Sequence, residues 1–221
     1  TSALQKFESA IAAINTNTSG RYLFSGTATD TPPYVPADQI LAELQSVISA
    51  EPTATDVLDA IDTWFSGDFG DGGFLDFAYQ GTDELAAFRI ADGETVDLGL
   101  TAAHEDFRKT LQSLAIGALL AEGLYGDDLQ SAALLAQRSG EQLIGISTNI
   151  SNLGSELGAA QERIETVTTR NASEASALTI ARGEIVAVDE YDSATALQAL
   201  QTQMETLYTL TARLSNLSLT D

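Results

Sequence analysis

Few side chains in this sequence have the types and spacing for catalysis or metal binding. The first candidate is a glycine–aspartate stretch at residues 68–76, which could bind calcium. Its acids lie at relative positions 1, 4 and 9. A calcium-binding EF-hand loop has ligands at positions 1, 3 and 5 and a glutamate at position 12, where this chain has Tyr79. The spacing favours a tight acidic turn. A calcium site is the alternative. An enzyme would need a metal-dependent site in this acidic region, and its minimum demand is that substitution of Asp71 abolishes calcium binding.

The chain has a single histidine, His104, and no cysteine. Because a transition-metal site needs several nitrogen or thiolate ligands close together, His104 is interpreted as a surface residue in the first turn of a helix. No motif frames a Ser-His-Asp arrangement around it. The glycines of residues 70–73 lack the lysine of a phosphate-binding loop. The sequence therefore predicts no enzyme, with no catalytic residue, cofactor or metal.

Acidic residues are concentrated in the middle of the chain. The formal net charge is −22, and residues 30–106 hold 17 acids against one base, Arg89. Such a surface repels nucleic acid and anionic lipid. No apolar run approaches the roughly 18 residues that a membrane span needs. We therefore expect no nucleic-acid and no membrane partner, and a solvent-facing middle region.

The element that dominates the chain is a heptad repeat over residues 129–188. A 3-4 apolar spacing held this long is typical of a coiled-coil seam, and an unbroken helix would be roughly 90 Å long at about 1.5 Å per residue. The polar pair Asn171 and Glu174 interrupts the seam. It favours an exposed turn of the helix, and the alternative is a pair that fixes the register or marks where the helix leaves its partner. Position a is occupied by Leu129, Ala136, Leu143, Ile150, Leu157, Ile164, Asn171, Leu178 and Ile185. Position d is occupied by Ala132, Ser139, Ile146, Leu153, Ala160, Val167, Glu174, Ala181 and Val188.

Shorter elements precede this helix. The apolar spacing of Leu4, Phe7, Ile11 and Ile14 predicts an N-terminal helix, for which Gly20 supplies a left-handed stop. Residues 31–36 contain three prolines and are predicted to be a linker.

The middle region is predicted to hold helices and short strands. Helices are expected from residue 38 to 50 and after Thr55 as N-cap, and Thr101 is expected to cap a third helix. Strands are predicted at residues 74–79, 85–91 and 95–98, and Asp92-Gly93 is a hairpin turn between the last two.

Together these elements predict a mainly α protein, a long coiled-coil-like helical rod with a small inserted α/β domain. The rod is discontinuous and comprises residues 1–26 and 104–188. The acidic inserted domain comprises residues 27–103, and residues 189–221 form a C-terminal assembly helix.

The C-terminal helix is broadly apolar. Such a helix at a chain end needs partners on several sides, since its apolar surface is unstable in water. We therefore predict a subunit interface formed by Leu197, Leu200, Met204, Leu207, Leu214 and Leu217.

Three stretches resemble the flagellin-like family of flagellar subunits. Residues 20–26, Gly-Arg-Tyr-Leu-Phe-Ser-Gly after a helix, are similar to a signature of the hook-associated protein 3 family, the hook–filament junction proteins. Residues 157–164 look like the long C-terminal helix that flagellins share with that family. Residues 189–221 resemble the helix that lines the inner tube of the filament, and Phe107-Arg108 at a helix start also fits the family.

The resemblance implies a structural adaptor at the hook–filament junction. Its partners would be neighbouring hook-associated protein and flagellin subunits in a tubular assembly. It would be extracellular and exported by the flagellar type III pathway. The tail would fold on assembly, with the acidic insertion facing outward. The family begins with a further helical region, so the chain is expected to be a fragment that lacks it. The alternatives are flagellin itself and a secreted coiled-coil binding module such as a type III secretion tip protein.

Overall fold

The computed structural model describes residues 2–97, 99–186 and 190–218, and of residues 190 and 216–218 it describes the backbone alone. In this part of the chain most residues are helical, which confirms the mainly α prediction. The chain divides into two compact units, Thr1–Val167 and Thr168–Asp221. The elements are α1 (Ser2–Ile14), β1 (Asn17–Thr18), β2 (Arg21–Tyr22), α2 (Ala37–Ile48), α3 (Ala54–Ser66), α4 (Phe74–Ala78), β3 (Phe88–Ala91), β4 (Glu94–Val96), α5 (Glu105–Ala121), α6 (Leu129–Val186) and α7 (Glu190–Ser218).

The first unit is built around one apolar cluster, to which α1 to α5 all contribute. Each of the longer helices presents apolar residues at helical spacing to this cluster, as Phe7, Ile11 and Ile14 do on α1. Leu135 of α6 completes the cluster and is fully buried. Residues 27–103 thus share a core with α1 and α5. The domain boundaries at residues 26, 103 and 188 stay a prediction.

Residues 31–36 are not the linker that their prolines predict, because the middle of the segment is buried in the core. Tyr34 has no exposed surface, and its ring packs edge-on against Phe74 with centroids 5.2 Å apart. Its hydroxyl donates to the carbonyl oxygen of Ala102. Burial raises the pKa of Tyr34 far above its ordinary value, so the phenol stays protonated and remains a donor. The backbone amides of Tyr34 and Val35 also have partners, the Asn15 side chain and the Ala78 carbonyl.

Two helices begin at residues other than those predicted. Thr53, and not Thr55, caps α3, since its Oγ1 accepts a hydrogen bond of 3.2 Å from the Asp56 amide. His104, and not Thr101, caps α5, and its Nδ1 accepts from the Asp106 amide at 3.3 Å. Thr101 is instead buried in the turn that precedes the helix, where its carbonyl accepts from the His104 amide.

The strand predicted at residues 74–79 is wrong, since these residues form the short helix α4. Phe74, Leu75 and Ala78 are buried together, a helical spacing that brings them to one side of the element. The glycine-rich loop before α4 is the acidic turn expected from the sequence. The Asp76 carboxylate accepts hydrogen bonds from the Gly70 and Gly72 amides at 2.9 and 2.7 Å.

Both sheets are antiparallel two-stranded hairpins. The hairpin β3–β4 turns at Asp92-Gly93 as predicted, with φ +73° at Gly93. Its predicted second strand reaches Leu98, which lies outside the described residues. Gly20 does not stop α1, which ends at Ile14. It closes the β1–β2 hairpin beside Ser19, and both residues have positive φ, as a type I′ turn requires.

Candidate assembly surface

The apolar seam of α6 is covered in part, and its last buried position is Val167. Within the first unit, the d residues Ser139, Ile146 and Val167 are buried and Ile150 and Ile164 at position a are half-buried. Three other a positions, Leu129, Ala136 and Leu157, are exposed. Every described residue from 168 to 186 is exposed. The predicted helix is therefore confirmed to Val186, but its seam is open over its last part; residues 187–188 lie outside the described chain.

Between Ser139 and Asn149 the seam lies against α5, and the contact is partly polar. Ser139 Oγ donates to the carbonyl oxygen of Ser113 at 2.8 Å, a buried hydrogen bond. Further along, Gln142 Nε2 donates to Gln112 Oε1 at 3.0 Å. Asn149 Nδ2 then donates to Asp106 Oδ1, also at 3.0 Å. Since directional bonds define one pairing of the two helices, α6 is seated in a single register on its own chain.

The uncovered part of α6 begins close to the polar pair Asn171 and Glu174. Both residues are exposed, as the sequence indicates. Beyond them the apolar surface continues without cover. The described large apolar residues there and their exposed fractions are Leu178 (70%), Ile180 (62%), Ile185 (84%) and Val186 (67%). Sequence reasoning assigned Leu178 and Ile185 to the rod seam and did not identify this segment as a surface. The polar pair is the signal that could have marked the change.

The predicted interface residues lie on α7 and share one face of it. Their spacing of three and four residues gives a stripe about 160° wide around the helix axis at 3.6 residues per turn. The side chain of Leu217 lies outside the described residues, although its backbone belongs to α7. The other five are exposed: Leu197 (64%), Leu200 (61%), Met204 (48%), Leu207 (58%) and Leu214 (67%). Leu210 is half exposed on the same stripe.

The rest of α7 carries very little charge. Between residues 193 and 218 the only charged residues in the sequence are Glu205 and Arg213. Its threonine hydroxyls are satisfied by the helix itself, as when Thr202 Oγ1 donates to the Gln198 carbonyl at 3.0 Å and Thr206 Oγ1 to that of Thr202 at 2.9 Å. A hydroxyl with an internal partner can be buried without leaving a hydrogen bond unmade. The surface of α7 therefore suits contact with other helices.

The residues considered for other chemistry have structural partners. Asp71 accepts a hydrogen bond from the Asp68 amide at 3.1 Å, and Asp76 is held by the glycine amides of the same loop. His104 caps α5. Among residues 2–97, 99–186 and 190–218, the structure shows no group of three or more histidine and acidic side chains placed to hold a metal ion. In the same part of the chain no helix is long and apolar enough to cross a membrane.

Comparison with protein families gave one match, and it covers the exposed helices. Residues 143–221, which include most of α6 and all of α7, match the model of the bacterial flagellin C-terminal helical region. Comparisons with curated proteins and with solved structures gave no match. Residues 143–221 are therefore similar to the C-terminal helical region of bacterial flagellins.

Proposed function

We propose that the chain is a structural subunit of the bacterial flagellum, that it adapts hook to filament at their junction, and that it assembles through the apolar stripe of α7. The observation that carries this proposal is the stripe itself. The described leucines and the methionine of the stripe are 48–67% exposed on a helix with almost no charge, and they lie within the segment that matches flagellins. Such a surface is unfavourable in water and becomes stable when neighbouring helices cover it.

The junction role, as distinct from that of flagellin, is supported by residues 20–26. Phe24 of this segment packs edge-on against Phe107 with ring centroids 5.5 Å apart, and its carbonyl accepts from the Ala102 amide at 2.8 Å. The Ser25 carbonyl accepts from the Thr82 amide at 3.0 Å. The sequence motif that resembles the junction family is thus the piece that joins the end of α1, the middle region and the start of α5.

In this role the protein has no catalytic step. Its neighbours are other hook-associated protein and flagellin subunits, and its place is outside the cell after export by the flagellar type III pathway. The energy of assembly comes from burial of α7, at about 25 cal/mol for each Å² of apolar surface removed from water.

Immunogold electron microscopy of flagella tests the location, with antibody raised against residues 30–106. Gold confined to the hook–filament boundary is expected. Labelling along the whole filament would identify a flagellin. Flagella without label would favour the secreted coiled-coil module, which predicts that residues 197–217 pack against their own chain.

A substitution pair tests the stripe. Leu200→Glu with Leu207→Glu places two charges on the apolar face and is expected to abolish incorporation into flagella. Gln198→Glu with Thr202→Glu adds the same charge on the opposite face and is expected to leave incorporation intact. Equal incorporation of the two variants would exclude α7 as the assembly surface.

A further inference from the structure

We propose that Asp92, at the turn of the β3–β4 hairpin, is a site of spontaneous isoaspartate formation. Its following residue is Gly93, and the sequence contains one other Asp-Gly pair, Asp71-Gly72. That second pair is protected from the same modification, because the carboxylate of Asp76 holds the glycine amide. The inference concerns the middle region alone and does not depend on the proposed function.

Isoaspartate forms in two steps that need no enzyme and no cofactor. The backbone nitrogen of the following residue attacks Cγ of the protonated aspartate. An N–Cγ bond forms, the C–OH bond breaks, and the hydroxyl leaves with the amide hydrogen as water. A second water then opens the five-membered imide, and when it adds to the former main-chain carbonyl carbon the chain continues through the aspartate side chain. Glycine in the following position favours the attack, because it has no Cβ to hinder it.

The two Asp-Gly sites are alike in backbone conformation and in surroundings. The angle φ is +74° at Gly72 and +73° at Gly93, and nothing lies within 4 Å of a Cβ built on either residue. Both aspartates, Asp71 and Asp92, are exposed. Crowding and the dipeptide sequence therefore give no reason for the two sites to react at different rates.

At the first site both reacting groups are held by hydrogen bonds. The Gly72 amide donates to Asp76 Oδ2 at 2.7 Å, and the Gly70 amide donates to both oxygens of the same carboxylate at 2.9 and 3.0 Å. Asp71 Oδ2 accepts from the Asp68 amide at 3.1 Å. The attacking nitrogen and the carboxyl carbon it must reach are thus tied to different partners, and the bond to a charged acceptor is the stronger kind.

At the second site the attacking nitrogen is not held. The Gly93 amide forms no hydrogen bond with the residues that the structure describes. The Asp92 carboxylate has one partner, Arg89 Nη2 at 2.8 Å, and the Asp92 side chain is fully exposed. An exposed ion pair contributes little, so it leaves the carboxyl group able to turn towards the amide.

The modification opens the hairpin. Isoaspartate adds one methylene to the main chain inside a two-residue turn, so Ala91 no longer lies opposite Glu94. The backbone amides of β3 and β4 should then exchange hydrogen faster. The core around Trp64 belongs to other elements and should keep its melting temperature.

Peptide mapping of the folded full chain tests the inference. The chain is incubated in mildly acidic buffer below its melting temperature, and mass spectrometry with electron-transfer fragmentation measures isoaspartate at each site. It should accumulate at Asp92 at least about tenfold faster than at Asp71, since the reaction at Asp71 must first break a charge-assisted hydrogen bond. In urea, where these bonds are lost, the two sites should react at similar rates. Equal rates in the folded chain, or no isoaspartate at Asp92, would overturn the inference.

Three variants test the cause. Asp92→Glu keeps the charge but cannot close the five-membered ring, so it should abolish the product at residue 92 and keep hairpin exchange constant during incubation. Asp76→Ala frees the Gly72 amide and should raise isoaspartate at Asp71 about tenfold.

Asp59→Ala is the matched control, because it removes an exposed acid whose carboxylate has no hydrogen bond with the described residues and should leave both rates unchanged. Trp64 fluorescence verifies that each variant is folded, and the urea comparison tests the same protection without any substitution. A folded Asp76→Ala variant in which Asp71 stays unreactive would show that Asp76 does not protect this pair.

Discussion

Asn15 holds the backbone of Tyr34 through two hydrogen bonds. Its Nδ2 donates to the Tyr34 carbonyl oxygen at 2.9 Å, and its Oδ1 accepts from the Tyr34 amide at 2.9 Å. One side chain thereby joins the end of α1 to the buried segment that enters the middle region. Sequence alone places this residue in a polar run after a helix and does not show its partner.

Replacement of Asn15 by leucine should destabilise the first unit. The Tyr34 amide and carbonyl would then be left without partners beside a fully buried ring, which costs about 2–4 kcal/mol for the two groups together. Trp64, the single tryptophan, is buried in the same core, so its fluorescence during urea unfolding reports the change. Thr16→Ala, at the exposed neighbour, is the control and should change the free energy of unfolding by less than about 0.5 kcal/mol. Equal stability of the two variants would contradict the role of Asn15.

Gly26 should not tolerate alanine. A Cβ built on Gly26 lies 2.3 Å from the Asp83 carbonyl oxygen and 2.5 Å from that of Thr82, and φ at this position is +63°. Steric overlap with backbone and a left-handed conformation together should cost about 2–4 kcal/mol in unfolding free energy.

Gly20→Ala is the matched control for this prediction. Its φ of +83° is also left-handed, but nothing lies within 4 Å of a Cβ built at this position. It should lose only the conformational term of about 1–2 kcal/mol. The same urea titration measures both variants, and a loss at Gly20 equal to that at Gly26 would exclude the close approach to Asp83 as the cause.

Arg108 stabilises the end of α3. Its Nη1 donates to the Phe65 and Gly67 carbonyl oxygens at 2.9 and 3.2 Å, where the negative end of the helix dipole favours a cation. Arg108→Met should lower the unfolding free energy by about 1–3 kcal/mol. The decrease in unfolding free energy should lie near the lower end of this range. The Arg108 Nε is buried without a partner among the described residues, and methionine removes that unsatisfied donor.

Lys109 provides the control for Arg108 on the same helix. It forms an exposed ion pair with Glu105 four residues earlier. Lys109→Met should therefore change stability by less than about 0.5 kcal/mol, because exposed ion pairs contribute little. A thermal melt in which the Lys109 variant loses as much as the Arg108 variant would refute the assignment.

The start of α6 should respond to acid. Asp128 accepts from the Ser131 hydroxyl at 2.6 Å and from the Ser131 and Gln130 amides at 3.2 and 3.1 Å. The Ser131 hydroxyl in the first place, and then these amides, lower the pKa of the Asp128 carboxyl. Since the pKa is lower in the folded chain, this contribution to stability is present above the unfolded pKa and is lost as the pH falls through the folded pKa.

Carbon-13 NMR of the Asp128 carboxyl during an acid titration measures this effect. The midpoint should lie below the ordinary aspartate value, and Ser131→Ala should raise it. Asp128→Asn keeps an oxygen acceptor for the amides and should make the first turn of α6 insensitive to acid. An ordinary midpoint in the unaltered chain would show that the capping bonds do not form in solution.

Removal of residues 192–221 should separate stability from assembly. Every described side chain of α7 within this range is exposed, so the core around Trp64 loses no cover. The melting temperature that Trp64 fluorescence reports should therefore stay within about 2 °C, while incorporation into flagella is abolished. A large fall in melting temperature would show that the tail supports its own chain.

The amphipathic and apolar patterns of the long helices could be identified from the sequence. The period of 3.6 residues is a local property, so Phe7, Ile11 and Ile14 on α1 and the stripe of α7 follow from residue spacing alone. The same holds for the hairpin turn at Asp92-Gly93, where the local backbone preference of glycine decides the conformation. For this reason the candidate assembly residues could be predicted from the sequence alone.

Tertiary structure decided the environment of the short segments and the position at which burial of the α6 seam ends. The sequence of residues 74–79 predicts a strand, and the structure has the helix α4 there because packing against the core favours a helix. The prolines around Tyr34 predict a linker. The segment is buried instead, because Asn15 and Ala102 supply the hydrogen-bond partners of Tyr34, and the sequence does not show these contacts. Likewise, the heptads continue beyond Val167, but burial stops there, because burial depends on which surfaces a partner covers. Local spacing thus determines which face of a helix is apolar, and only contacts between segments distant in sequence determine whether that face is buried.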